Sequence, residues 1–195
     1  MDAMALSATV YNFDVELADT DRGVYESLAL RVARQPSETE EFLVARVLAY
    51  LLEYREGIAF SRGLTEPDEP AIAVRDLTGE LTAWIDVGLP DAARLHKAQK
   101  AMKAGGRVAV YTHKDPALLL KQLEGEKIHR AEALELYALD AALIGALVAR
   151  LERRVAFSLT VTDRELYLAL GDGGGAGGAD NITGAVVRLK RGIGE

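Results

Sequence analysis

Residues 81–98 read LTAWIDVGLPDAARLHKA, and this stretch decides the fold. Leu81 to Val87 predicts a strand, and alternation sets Trp84 and Asp86 on one face of it. A strand this apolar reads as buried on both sides, where a free charge is out of place. A metal, a lysine or a backbone group is therefore expected at Asp86. Pro90 to Lys103 predicts a helix, with proline in its first turn and Asp91 complementing the N-terminal dipole. Leu95, Ala98 and Met102 supply its buried stripe, and Arg94, Lys97, Lys100 and Lys103 a cationic face. A further apolar strand follows at Arg107 to Tyr111. Strand, helix, strand is the unit of a sheet covered by helices.

Working outward, residues 5–17 alternate as a strand, Asp19 to Gly23 is turn chemistry, and Val24 to Ala33 completes a hairpin. Pro36-Ser37 opens a long helix, with Ser37 as cap and Glu40 closing a capping box. Leu43, Val44, Val47, Leu48, Leu51 and Leu52 repeat at helical spacing, and the helix is expected to end near Gly57. Residues 63–70 form a proline-rich loop before a short strand at Ile72 to Val74. Beyond Tyr111 the pattern predicts a helix from Asp115-Pro116, a strand at Ala133 to Ala138 and a helix capped by Asp140. A hairpin around Thr162-Asp163 and a last strand at Ile182 to Leu189 complete it. The glycine-rich stretch 171–180 reads as a flexible loop, since it lacks the Lys-Ser/Thr of a phosphate-binding loop. The fold class is α/β (α+β): one domain over 1–195, a mixed β-sheet flanked by helices, with residues 1–3 dispensable.

Composition bounds the function. The 195 residues are 49% hydrophobic and 27% charged, enough for a real core. No apolar run approaches the ~18 residues of a membrane span, and no secretory leader is evident. Cysteine is absent, which removes thiol nucleophiles and thiolate metal sites and points to a reducing, cytoplasmic setting. The net charge of −7 argues against a broad nucleic-acid-binding surface, but it is uneven. Residues 36–91 hold 12 acids and four bases, and residues 92–130 nine bases and three acids. An acidic block followed by a basic one suits a metal site beside an anion site, and also arises by chance.

The three histidines, His96, His113 and His129, are scattered and read as surface residues. Carboxylates and lysine are what remain for chemistry. Glu38 and Glu41 lie in the first turns of the long helix, Asp68 and Glu69 in the proline-bounded loop, and Asp86 at a strand end. Such a set can hold Mg²⁺, with Lys97 complementing charge in a transition state. Each has a plain structural reading too. Acids complement a helix N-terminus, Asp68 can shape a turn beside Pro67, and a lysine face can be solvated.

Several blocks resemble the YaeQ family: MALSATVY from Met4, PSETEE at Pro36, RGL at Arg62, PDEP at Pro67, WIDVGLPD at Trp84 and RLHKA at Arg94. The resemblance implies a variant of the PD-(D/E)XK nuclease fold. Pro67-Asp68 then stands for the "PD" element, Asp86 for the (D/E) position, and Glu41, or else Glu38, for the helix carboxylate. Gly88 occupies the usual lysine slot, so Lys97 is the relocated lysine. On this basis Glu41, Asp68 and Asp86 are expected to bind Mg²⁺. Asp68, Asp86 and Lys97 are expected to serve phosphodiester hydrolysis, with Arg94 and Lys100 meeting a nucleic-acid backbone. The glycine at 88 equally suits a descendant that kept the fold, lost the reaction, and uses its carboxylates as a structural network.

Overall fold

Alternating segments pair into one mixed sheet in this computed structural model, which describes residues 8–61, 68–171 and 180–189. The strands, in chain order, are β1 Thr9–Asp19, β2 Val24–Arg34, β3 Ile58–Phe60, β4 Ile72–Arg75, β5 Leu81–Val87, β6 Arg107–Thr112, β7 Leu134–Leu139, β8 Arg154–Thr162, β9 Glu165–Leu170 and β10 Asp180–Leu189. Their order across the sheet is β2-β1-β8-β9-β10-β7-β6-β5-β4-β3. Within it β5, β6 and β7 run parallel, as do β1 and β8, and the remaining pairs are antiparallel.

Among the described residues four α-helices connect them: α1 Glu40–Leu52, α2 Ala92–Ala101, α3 Pro116–Leu123 and α4 Ala141–Val148. Each begins at an acceptor side chain. Asp91, Asp115 and Asp140 cap α2, α3 and α4 through the backbone N–H groups of the first turn. At α1 the cap is Thr39, not the expected Ser37: its Oγ accepts from the Phe42 N–H at 3.1 Å. Ser37 lies in a turn closed by the Glu38 N–H on the Gln35 carbonyl, which delays the helix by two residues.

The core has two compartments, and β5 separates them. Ala83, Ile85 and Val87 face α1 and α4, whereas Trp84 faces α2 and α3 with Leu95, Leu119 and Val110. The edge strands β2 and β3 both pack into the α1 compartment, so the sheet curls to near closure around that helix. Arg46 of α1 spans the gap. It is buried, donates to Ala33 O of β2 at 2.6 Å, and lies 5.7 Å from the Phe60 ring of β3. Strand β3 was not foreseen, since three residues carry too little periodicity to be seen. The expected dispensable residues 1–3, Pro67 of the "PD" element and most of the glycine-rich 171–180 stretch lie outside the described residues. None of the helices among the described residues is long and apolar enough to cross a membrane.

Candidate functional site

Asp86 is buried at the end of β5, and its side chain lies on the α2 face beside Trp84. Its partner is a cation from the next helix. Arg94 donates Nε to Oδ2 and Nη2 to Oδ1, both at 2.8 Å, in a two-pronged pair. The Trp84 indole N–H adds a bond at 2.9 Å and the Ala71 backbone N–H one at 3.3 Å. Arg94 also donates to the Glu69 carbonyl at 2.7 Å and lies 5.5 Å from the Trp84 ring. Burial alone would lower the Arg94 pKa, but its bonds to Asp86 raise it further from neutrality. The partner expected at Asp86 is thus an arginine, and the cation assigned to a phosphate backbone is engaged inside the protein. Lys97, one turn further along α2, pairs with Asp68, both largely exposed. Lys100 sits exposed in the last turn of α2.

Asp68, Asp86, Arg94 and Lys97 therefore come together, but Glu41 does not join them. It is exposed in the first turn of α1, on the opposite side of β5 from Asp86. Its own backbone N–H and Thr39 hold its carboxyl below the ordinary range. A divalent cation needs several oxygens with lone pairs to spare. Here Asp86 is ringed by N–H donors and a guanidinium, and Asp68 faces an ammonium. Among the described residues no three His, Asp or Glu side chains form a metal-binding group. As arranged, this set does not fit Mg²⁺.

Glu38, the other helix candidate, is buried against Arg46 at 3.1 Å. Burial raises its carboxyl pKa, against the pull of Arg46. It lines a small cavity of about 220 Å³ with Ser37, Thr39, Phe42, Gly88 and His113. Gly88 has φ +87° there, and a side chain in its place would meet Phe42 and His113. His113 is no surface residue: it is 7% exposed, and neither ring nitrogen has a partner among the described residues. Burial pulls its imidazole down to about 4, with Lys114 acting in the same direction.

A concavity of about 380 Å³ lies at the other end of α1, where the sequence gives no site. Glu53, just after the helix, is buried and accepts from Arg107 (2.9 and 3.3 Å), Arg55 (3.2 Å) and the Tyr111 hydroxyl (2.8 Å). Arg107 reaches on to Glu135 at 2.6 and 2.9 Å, and Glu135 accepts from the Tyr137 hydroxyl at 2.8 Å. Tyr111 and Tyr137 stack at 4.9 Å. Burial, then the bond to Glu135, pushes Tyr137 up to about 12. Arg22, from the β1–β2 turn, pairs with buried Asp19 and donates to the carbonyls of Leu51 and Tyr54 at the end of α1. The one signal for this network in the sequence is a charge at each end of an apolar run, Glu53 after LAYLL and Arg107 before VAVY.

A family model described as YaeQ protein matches residues 4–175. The protein named "Uncharacterized protein YaeQ" of Escherichia coli (strain K12) is 33% identical over 167 residues, 85% of this chain and 91% of that protein. Its namesake from Salmonella typhi is 32% identical over the same shares. The crystal structure of YaeQ protein from Pseudomonas syringae superposes with a TM-score of 0.78 at 28% identity, covering 94% of this chain and 96% of that one. That from Xanthomonas axonopodis pv. citri gives 0.78 at 32%, covering 93% and 98%. The chain belongs to the YaeQ family.

Proposed function

We propose that this protein is a non-catalytic binding module on a variant of the PD-(D/E)XK nuclease fold, and that its Asp86 cluster is a structural network. One observation carries the reading: Asp86 gives both oxygens to Arg94 and accepts two further N–H bonds besides. A carboxylate so saturated braces β5 against α2 and the β4 entry. The parallel β5-β6-β7 core with helices on both faces supports the fold part of the proposal. The absence of cysteine suits a reducing, cytoplasmic setting.

A second reading keeps one observation on its side. Asp68, Asp86 and Lys97 do gather at one strand end, as a Mg²⁺-dependent nuclease site would have them. That reading needs Arg94 to leave Asp86 and Glu41 to reach it from across the sheet. Nucleic acid would then meet Arg94 and Lys100. Calorimetry with Mg²⁺ and Mn²⁺, beside hydrolysis of single- and double-stranded DNA and RNA, separates the two. The binding module shows no stoichiometric metal uptake and no cleavage above the Asp86→Ala and Lys97→Ala controls. Metal-dependent cleavage lost in both variants would overturn it.

A further inference from the structure

The pocket at the C-terminal end of α1 has the size of a small-molecule site, about 380 Å³ against a usual range of roughly 300–1,000 Å³. Four arginines and three carboxylates line it. Most of that charge is spent. Asp19 holds Arg22, and Glu53 holds Arg107 and Arg55. Asp21 uses both carboxylate oxygens on backbone, accepting from Asp163 N–H at 2.7 Å and Arg164 N–H at 2.9 Å. Arg164 is the remainder: it is exposed, and its guanidinium has no ion pair or hydrogen bond among the described residues.

The backbone under Arg164 is unusual. Asp163 and Arg164 make the two-residue turn between β8 and β9, with φ of 53° and 63°. Such turns favour Asn-Gly or Asp-Gly, because both residues are left-handed. Aspartate tolerates that region, whereas arginine enters it only against the clash of its Cβ with the backbone. Asp21 from the neighbouring hairpin and the Val186 N–H on Arg164 O (3.0 Å) hold the turn in place. Arg164 thus lines the cavity with its charge unspent, in a conformation its residue type disfavours.

We propose that this pocket binds a small organic oxyanion, with Arg164 contacting the anionic group and Leu52, Val161, Val186 and Tyr137 taking the apolar body. The buried carboxylates below are already paired and present their cations outward, so they do not repel such a ligand. The inference deepens the binding reading but fails separately from it, since nuclease assays do not bear on Arg164.

Carboxylate and phosphate share this chemistry, so the full chain is titrated by calorimetry with benzoate and, separately, with inorganic phosphate. The comparison variants are Arg164→Gly and Arg164→Asn, both suited to the turn, with Arg164→Lys retaining the charge. Wild type is expected to bind at least one probe. Arg164→Gly and Arg164→Asn are expected to weaken it about tenfold or more, with Arg164→Lys in between and an unfolding midpoint for Arg164→Gly at or above wild type. Binding of benzoate alone assigns a carboxylate ligand, and of phosphate alone a phosphoryl one. No binding of either probe, or equal affinity in Arg164→Gly, overturns the proposal.

Discussion

The two ends of α1 bury charge in opposite ways. At the C-terminal end Glu53 meets two arginines and a tyrosine hydroxyl, and Arg107 passes the network on to Glu135 and Tyr137. At the N-terminal end Glu38 and Arg46 form one bond between them. Glu38 Oε1, Arg46 Nε and both ring nitrogens of His113 have no partner among the described residues. A buried network whose donors and acceptors are matched braces the fold, whereas a part-matched one is a weak point. By this measure the C-terminal end anchors the sheet to α1, and the N-terminal end is where the protein gives way first.

The largest effect is expected from breaking the matched end. Glu53→Ala leaves Arg107 with half its partners and the buried Tyr111 hydroxyl without an acceptor. Removing one member of a buried pair costs about 3–5 kcal/mol, and the partial exposure of Arg107 and Arg55 places this case near the lower figure, about 3 kcal/mol. Urea denaturation reads it directly. A loss under about 1 kcal/mol would mean that the network is not what holds this end.

Acid tests the unmatched end. His113 falls from its ordinary 6.5 to about 4 in the folded protein. The unfolded chain therefore takes up the proton first, so this contribution is intact above about 6.5 and is lost as pH drops toward 4. At about 1.4 kcal/mol per unit the upper bound is roughly 3 kcal/mol. Glu38, with its raised carboxyl pKa, acts in the opposite direction over part of that range, and Glu41 and Lys114 add their own fields. The difference between wild type and His113→Phe isolates the histidine. That difference should grow in favour of the phenylalanine from pH 7 to pH 4, and a constant difference would show that the imidazole finds a partner.

These two ends were unequally legible in the sequence. Among the described residues, strand alternation and helical spacing place nine of the ten strands and all four α-helices, because each carries enough residues to show its period. The alternation of Trp84 and Asp86 also foretold that Asp86 is buried and partnered. What remained hidden depends on contacts distant along the chain. Arg94 rather than a metal meets Asp86 because the turn at Gly88-Leu89-Pro90 folds α2 back over β5, and spacing alone does not choose between those partners. Glu53, Arg107 and Glu135 are far apart in sequence and meet through sheet order. Thr39 displaced Ser37 as the cap of α1 because a local turn consumed the first residues.

A smaller effect is expected at Asp86, which is as buried as Glu53 but keeps the Trp84 and Ala71 N–H bonds when its arginine is removed. Arg94→Ala strands a carboxylate that is 3% exposed, while Arg94 itself is 24% exposed and screened by solvent. A loss of about 2 kcal/mol by urea denaturation follows, below that of Glu53→Ala. If Arg94→Ala instead gains stability in millimolar Mg²⁺, the cluster is a metal site masked by its arginine, and the structural reading of Asp86 fails.

The smallest effect belongs to Lys97. Its pair with Asp68 joins two side chains that are 56% and 68% exposed. Water screens such a pair, and fixing two mobile side chains offsets much of what attraction remains. Lys97→Ala should therefore change unfolding free energy by less than about 0.5 kcal/mol. This near-zero value is what gives the substitution its use. Any change in metal uptake or hydrolysis in Lys97→Ala would come without a loss of fold, so it would report on chemistry at the end of β5. A variant with unchanged stability and no measurable difference in either assay leaves Lys97 as a solvated residue that steadies the Asp68 turn. The contrast with Glu53 then follows from burial: the same kind of ion pair supports the fold where water is excluded and does almost nothing where it is not.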